Sequence, residues 1–182
     1  MSPRPVTLAI TGGIGAGKSE ALAAFARHGA ATLSADAVVH ELIAGDGEVR
    51  AALEERFGTT DRGEIGSVVF AEPDELVWLE ALLHPHVRTV TDRWLDEVDA
   101  SVAVVEIPLL YEAGRDGDFD RVIVVTAPAE VRRGRSRVAR DSREARLLPD
   151  ADKVARADYV YENVGSLDDL DRFVASVLAE LA

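Results

Sequence analysis

The stretch VTLAITGGIGAGKSEALAAFARHG, residues 6–29, decides the fold. Residues 6–11 form a short apolar run with β-branched side chains, ended by Gly12, and read as a buried strand. Residues 18–28 place Leu22, Ala23, Phe25 and Ala26 where a helix would face a sheet, and Gly29 stands where a helix ends. Between them Gly12, Gly17, Lys18 and Ser19 satisfy the spacing G-x-x-x-x-G-K-[ST]. Glycines let the backbone wrap closely around phosphate with its N–H groups turned inward. The following helix adds its dipole and its unpaired N–H groups. Residues 12–19 therefore read as a loop for the phosphates of ATP. Lys18 would bridge the β- and γ-phosphates, and the Ser19 hydroxyl would serve Mg2+. Gly13, Ile14, Gly15, Ala16, Gly17, Lys18, Ser19 and Glu20 are the expected nucleotide-binding residues.

Outward from the loop, continuous apolar runs alternate with helical patterns. Residues 31–34, 102–107, 121–126 and 158–161 are further strand candidates. Such alternation argues for a parallel sheet covered on both faces. The expectation is an α/β fold with a five-stranded parallel sheet, a P-loop NTPase core flanked by helices. Helices are expected over residues 36–44, 47–57, 74–83, 87–98 and 167–181, with a loop over 59–66. Pro85, within His84-Pro85-His86, is expected to break or kink the chain.

The 182 residues suffice for one domain with inserted subdomains. With 47% hydrophobic and 29% charged residues, disordered and fibrous classes are excluded. The absence of Cys rules out disulfides, a thiolate nucleophile and Cys-ligated zinc. A net charge of -13 repels nucleic acid and anionic membranes, so neither is an expected partner. No apolar run is long enough to span a bilayer, and the N-terminal apolar residues run straight into the glycine loop. A cytoplasmic monomer acting on a small molecule is expected.

Asp36 lies just after the second strand candidate, and ligands of open α/β sheets bind at the carboxyl ends of strands. It would take or orient a hydroxyl proton, order water around the metal, or simply cap the next helix. Glu106 and Glu112 flank the end of the third long apolar run. Glu106 would be a metal-linked acid or a carboxylate satisfied beside Lys18. Glu112 would be a substrate contact or a solvated side chain. For both, the plainer reading is preferred. Residues 130–146 hold seven arginines: 132, 133, 135, 137, 140, 143 and 146. In so acidic a chain, this cluster reads as a lid that neutralises charge on a transferred phosphoryl group.

These blocks together resemble the dephospho-coenzyme A kinase family. ITGGIGAGKS (10–19), SAD (34–36), LLHPHV (82–87), EIPLLYEAG (106–114) and ADYVYENVG (157–165) are similar to family segments and occur in family order. The resemblance implies ATP-dependent phosphorylation of the ribose 3′-hydroxyl of dephospho-coenzyme A. It implies one kinase domain, 1–182, with a helical substrate subdomain at about 37–100 and a lid at about 130–152. Lys18, Asp36 and Arg140 match catalytic positions. His84, Pro108, Leu109 and Glu112, with Asp36, match the substrate side, and Asn163 would lie beside adenine. Ser34 replaces an acid common in the family. Residues 61–70 are read as short and without the family's usual Asp-Arg pair, and the lid as short and lacking a Gln. The competing classes are another small-molecule kinase, such as one acting on a nucleoside monophosphate, and a non-catalytic nucleotide-binding regulator.

Overall fold

A computed structural model describes residues 4–135 and 147–181, the side chains of Arg133 and Arg135 apart. The chain divides into two compact units, one built from the residues up to Ser34 and from Glu97 onward, the other from Ala35–Asp96.

The first unit holds a five-stranded parallel sheet in the order β2-β3-β1-β4-β5. The strands are β1 (Val6–Thr11), β2 (Ala31–Ser34), β3 (Val102–Glu106), β4 (Arg121–Thr126) and β5 (Tyr159–Glu162). β1 lies central because its residues are apolar on both faces: Leu8, Ala9 and Ile10 are fully buried. Helix α1 (Lys18–Arg27) packs Ala21, Ala24 and Phe25 inward, and Gly29, at a φ of 88°, ends it. The C-terminal helix, here α8 (Leu167–Leu181), buries Leu170, Val174 and Val177, a single stripe at helical spacing. Those side chains share a core cluster with Phe25 and with Tyr161 of β5.

The second unit is all helical: α2 (Ala35–Gly45), α3 (Gly47–Phe57), α4 (Arg62–Ala71) and most of α5 (Pro73–Glu97). Its buried apolar residues include Val38, Leu42 and Ile43 of α2, Val49 and Leu53 of α3, Ile65 and Val69 of α4, and Leu83 and Val87 of α5. Arg56 grips Glu75 through two hydrogen bonds of 2.8 and 2.6 Å and lies over the ring of Trp78.

Three expectations need correction. The loop expected over residues 59–66 gives way to α4. Asp61 caps that helix, accepting the Glu64 N–H at 2.9 Å, and Ile65 and Val69 bury one face. Burial outweighs Gly63 and Gly66, each costing about 1 kcal/mol in a helix. Nor is an Asp-Arg pair missing there: Asp61-Arg62 is that pair, at the head of α4. Pro85 does not divide two helices, because α5 runs through it for 25 residues. A proline removes one backbone donor, and side chains supply bonds around it. The His86 ring Nδ1 lies 2.9 Å from the Leu82 carbonyl, and Thr89 Oγ1 donates to the Pro85 carbonyl at 3.0 Å.

Candidate active site

The glycine loop joins β1 to α1, as its spacing requires. Gly12 has a φ of 145°, and a Cβ there would overlap the Val125 carbonyl oxygen of β4. Only glycine lets the chain leave β1 at that point. Gly17, at a φ of 102°, precedes α1 without any side-chain cap. The first-turn N–H groups of α1 therefore face the loop, a site suited to an anion. Ala16 N–H donates to the Gly13 carbonyl at 3.2 Å and closes a turn. Lys18 Nζ donates to the same carbonyl at 3.1 Å, which folds the ammonium back over the loop.

Ser19 Oγ donates to Glu106 Oε1 at 3.1 Å. Glu106 ends β3 in register with Ile10 and is only 4% exposed. The plainer expectation for Glu106, a carboxylate satisfied beside Lys18, agrees with this bond to the adjacent Ser19. The available signal was one acid inside an apolar strand, since an ionised group is rarely buried without a partner. On the far side of the loop, Asn163 Nδ2 donates to the Ala16 carbonyl at 2.9 Å. Asn163 also lines a cavity of about 440 Å³ with Gly17, Glu20, Ser166, Leu167 and Leu170. That volume lies within the range of small-molecule pockets.

Pro108 and Leu109 follow β3 and are half-buried. Pro108 accepts the Thr11 hydroxyl at 3.2 Å, a link back to the end of β1. Glu112 Oε1 accepts the Leu148 N–H at 2.9 Å. The same oxygen lies 2.9 Å from Lys153 Nζ, an ion pair off the angle of a formal hydrogen bond. Lys153 is fully buried and belongs to α7 (Asp150–Val154), a contact the sequence reading did not single out. Arg132, on α6 (Ala129–Arg135), lies 3.7 Å from Asp150 and packs on Gly13.

In the helical unit, Asp36 is exposed in the first turn of α2. That helix begins one residue earlier, so Asp36 does not occupy the capping position that was its alternative role. Asp36 stands two residues beyond Ser34, which is in register with Glu106. His84 is exposed on α5. Arg140 lies outside the described residues, as does most of the arginine cluster. Among the described residues, no cluster of three or more His, Cys, Asp or Glu could hold a metal. No helix there is long and apolar enough to cross a membrane.

A strand, a glycine loop and a helix carrying Lys and Ser, on a sheet of this order, define a P-loop kinase. Shikimate kinase from Aquifex aeolicus shares the fold, with a TM-score of 0.56 at 16% identity over 96% of this chain and 97% of its own. The family model for dephospho-CoA kinase matches residues 6–169. The chain belongs to the dephospho-CoA kinase family. It is 40% identical to the dephospho-CoA kinase of Frankia casuarinae, over 96% of this chain and 83% of the relative. It is 37% identical to that of Thermus thermophilus, over 97% and 92%. The crystal structure of TT1252 from Thermus thermophilus superposes with a TM-score of 0.81 at 36% identity, covering 99% of this chain and all of the other.

Proposed function

We propose that the chain transfers the γ-phosphoryl group of ATP to the ribose 3′-hydroxyl of dephospho-coenzyme A, giving coenzyme A and ADP. The observation that carries this reading is the Lys18–Ser19–Glu106 arrangement in a chain matching the family over residues 6–169. Loop N–H groups and Lys18 would hold the phosphates, so that binding energy goes into orientation. The Ser19 hydroxyl and Glu106 carboxylate are hard oxygen donors 3.1 Å apart. They suit Mg2+, which keeps much of its shell as water and phosphate oxygen and needs no dedicated protein cage. Bound there, the ion would supply charge neutralisation to the transferring phosphoryl group. Asp36 would take or orient the hydroxyl proton of the acceptor. Gly13–Ser19 and Glu20 would contact the nucleotide, with Asn163 beside adenine at the 440 Å³ cavity. His84, Pro108, Leu109 and Glu112 are proposed for the acceptor side, within one kinase domain whose residues 37–100 serve as substrate subdomain. Arg140 and its neighbours would act from the lid. The proposed setting is a cytoplasmic monomer.

ADP release measured with ATP, Mg2+ and dephospho-coenzyme A tests this, with AMP, CMP and no acceptor alongside. Turnover confined to dephospho-coenzyme A, with product mass rising by one phosphoryl group, is the expected result. Preference for a nucleoside monophosphate would overturn the substrate, and ATP binding without turnover would overturn the enzyme reading. Asp36→Asn should lower kcat about 10²-fold or more with little effect on ATP affinity; near-native kcat would remove Asp36 from proton transfer.

A further inference from the structure

We propose that Glu20 accepts hydrogen bonds from the ribose hydroxyls of the bound nucleotide, so that the chain selects a ribonucleotide over one lacking those hydroxyls. The inference rests on reading the glycine loop as a nucleotide site and deepens that reading.

The cavity of about 440 Å³ is lined by Gly17, where the loop gives way to α1, and by Leu167 and Leu170 of α8. Leu167 is 60% exposed, an apolar side chain with a face to offer a base. In a nucleotide the sugar stands between phosphates and base. With phosphates on the loop and the base against the α8 leucines, the sugar passes the first turn of α1. Glu20 lines the cavity from that turn.

The other polar side chains of the cavity are engaged. Asn163 Nδ2 donates to the Ala16 carbonyl at 2.9 Å. The Ser166 N–H and hydroxyl both donate to Asp169 Oδ2 at 2.7 Å. Glu20 differs. Its Oε1 accepts from Arg27 Nη1 at 3.2 Å, and Oε2 has no partner among the described residues. Arg27 is in turn held from α8, donating through Nη2 to Asp171 Oδ1 at 3.1 Å. One carboxylate oxygen is thus fixed by a braced guanidinium, and the other is left to accept. A carboxylate repels phosphate and can only accept hydrogen bonds when ionised, so the fitting part of a nucleotide is a pair of hydroxyl donors. Arg27 acts as the positioning residue for that carboxylate.

The test is calorimetric titration of the full chain with ATP, 2′,3′-dideoxy-ATP and inosine triphosphate, each with Mg2+ and without acceptor. Wild type, Glu20→Ala, Arg27→Met and Lys18→Ala are compared. Wild type should bind dideoxy-ATP about fivefold or more weaker than ATP, and Glu20→Ala should shrink that gap below twofold. Arg27→Met, which frees the carboxylate to turn away, should narrow the gap; an unchanged gap would overturn the positioning role of Arg27. No gap in wild type, or the wild-type gap persisting in Glu20→Ala, would overturn the proposal. An acid that merely suits the helix dipole would give that second result. Equal tightening of all three nucleotides in Glu20→Ala would also overturn it, because the carboxylate would then act by repelling phosphate. A change confined to discrimination against inosine triphosphate, which keeps both hydroxyls, would put Glu20 at the base instead and overturn it too. Wild type failing to bind ATP, or Lys18→Ala binding as wild type, would sink the loop reading itself. Binding that depends on Lys18 but shows no hydroxyl preference would sink this proposal alone.

Discussion

The two sides of the glycine loop are built by different means. On the sheet side, backbone geometry places everything: Gly12 passes the Val125 carbonyl, and Glu106 meets Ser19 from the end of a buried strand. On the α6–α7 side, side-chain charges do the placing: Arg132 with Asp150, and Glu112 with Lys153. Sheet hydrogen bonds allow little adjustment, whereas ion pairs tolerate exchange of partners. The sheet side is thus suited to fixing phosphate geometry, and the α6–α7 side to tuning affinity.

Gly12→Ala attacks the backbone-built side and should have the largest effect on turnover. The new methyl meets backbone, which cannot rotate away. A loop displaced by about 1 Å loses roughly 10²-fold in rate. Steady-state turnover and a thermal melt check this, and near-native activity would break the contrast between the two sides. Lys153→Met probes the other side. It leaves the Glu112 carboxylate without its buried partner, at a cost of about 3–5 kcal/mol in unfolding free energy. Adding Glu112→Gln removes the stranded charge while keeping an acceptor for Leu148, so urea denaturation should show most of that stability restored. No recovery in the double variant would mean that the pair does more than balance charge.

The smallest effect concerns an anchor at the other end of β1. Asp120 accepts both the Thr7 N–H and the Thr7 hydroxyl at 2.9 Å, and its carboxyl is held below the usual carboxylate range, chiefly by the backbone bond. The charged form is favoured in the folded state. Its contribution is therefore present above the unfolded-state pKa, about 3.9, and fades as pH falls through the lowered folded value. Asp120→Asn should cost less than about 1 kcal/mol at pH 7, because the side chain is 38% exposed and screened by water. Melts from pH 7 downward should show the two proteins converging. A pH-independent gap would refute the ionic origin.

How legible the sequence was follows the same division. The strand–loop–helix at residues 6–29 could be read directly, because glycine spacing and apolar runs are local signals. The C-terminal helix was legible to the residue, since its apolar stripe has a single period. Pro85 misled because a helix tolerates one lost donor when neighbouring side chains and buried faces compensate, and none of that is written near the proline. The loop expected over residues 59–66 failed for a related reason: two glycines argued against a helix, and the Asp61 cap and the burial of Ile65 and Val69 outweighed them.

Sequence alone determined the phosphate loop, the parallel sheet and the family, because each is encoded in short-range spacing that survives without knowledge of contacts. Tertiary structure alone decided the partners: Ser19 with Glu106 across 87 residues, Asn163 with Ala16 across 147, and Arg132 with Gly13 and Asp150. A carboxylate or a guanidinium carries no mark of what it will meet. Its role is set when packing of the strands and helices brings distant segments within a few ångströms, where burial makes pairing obligatory.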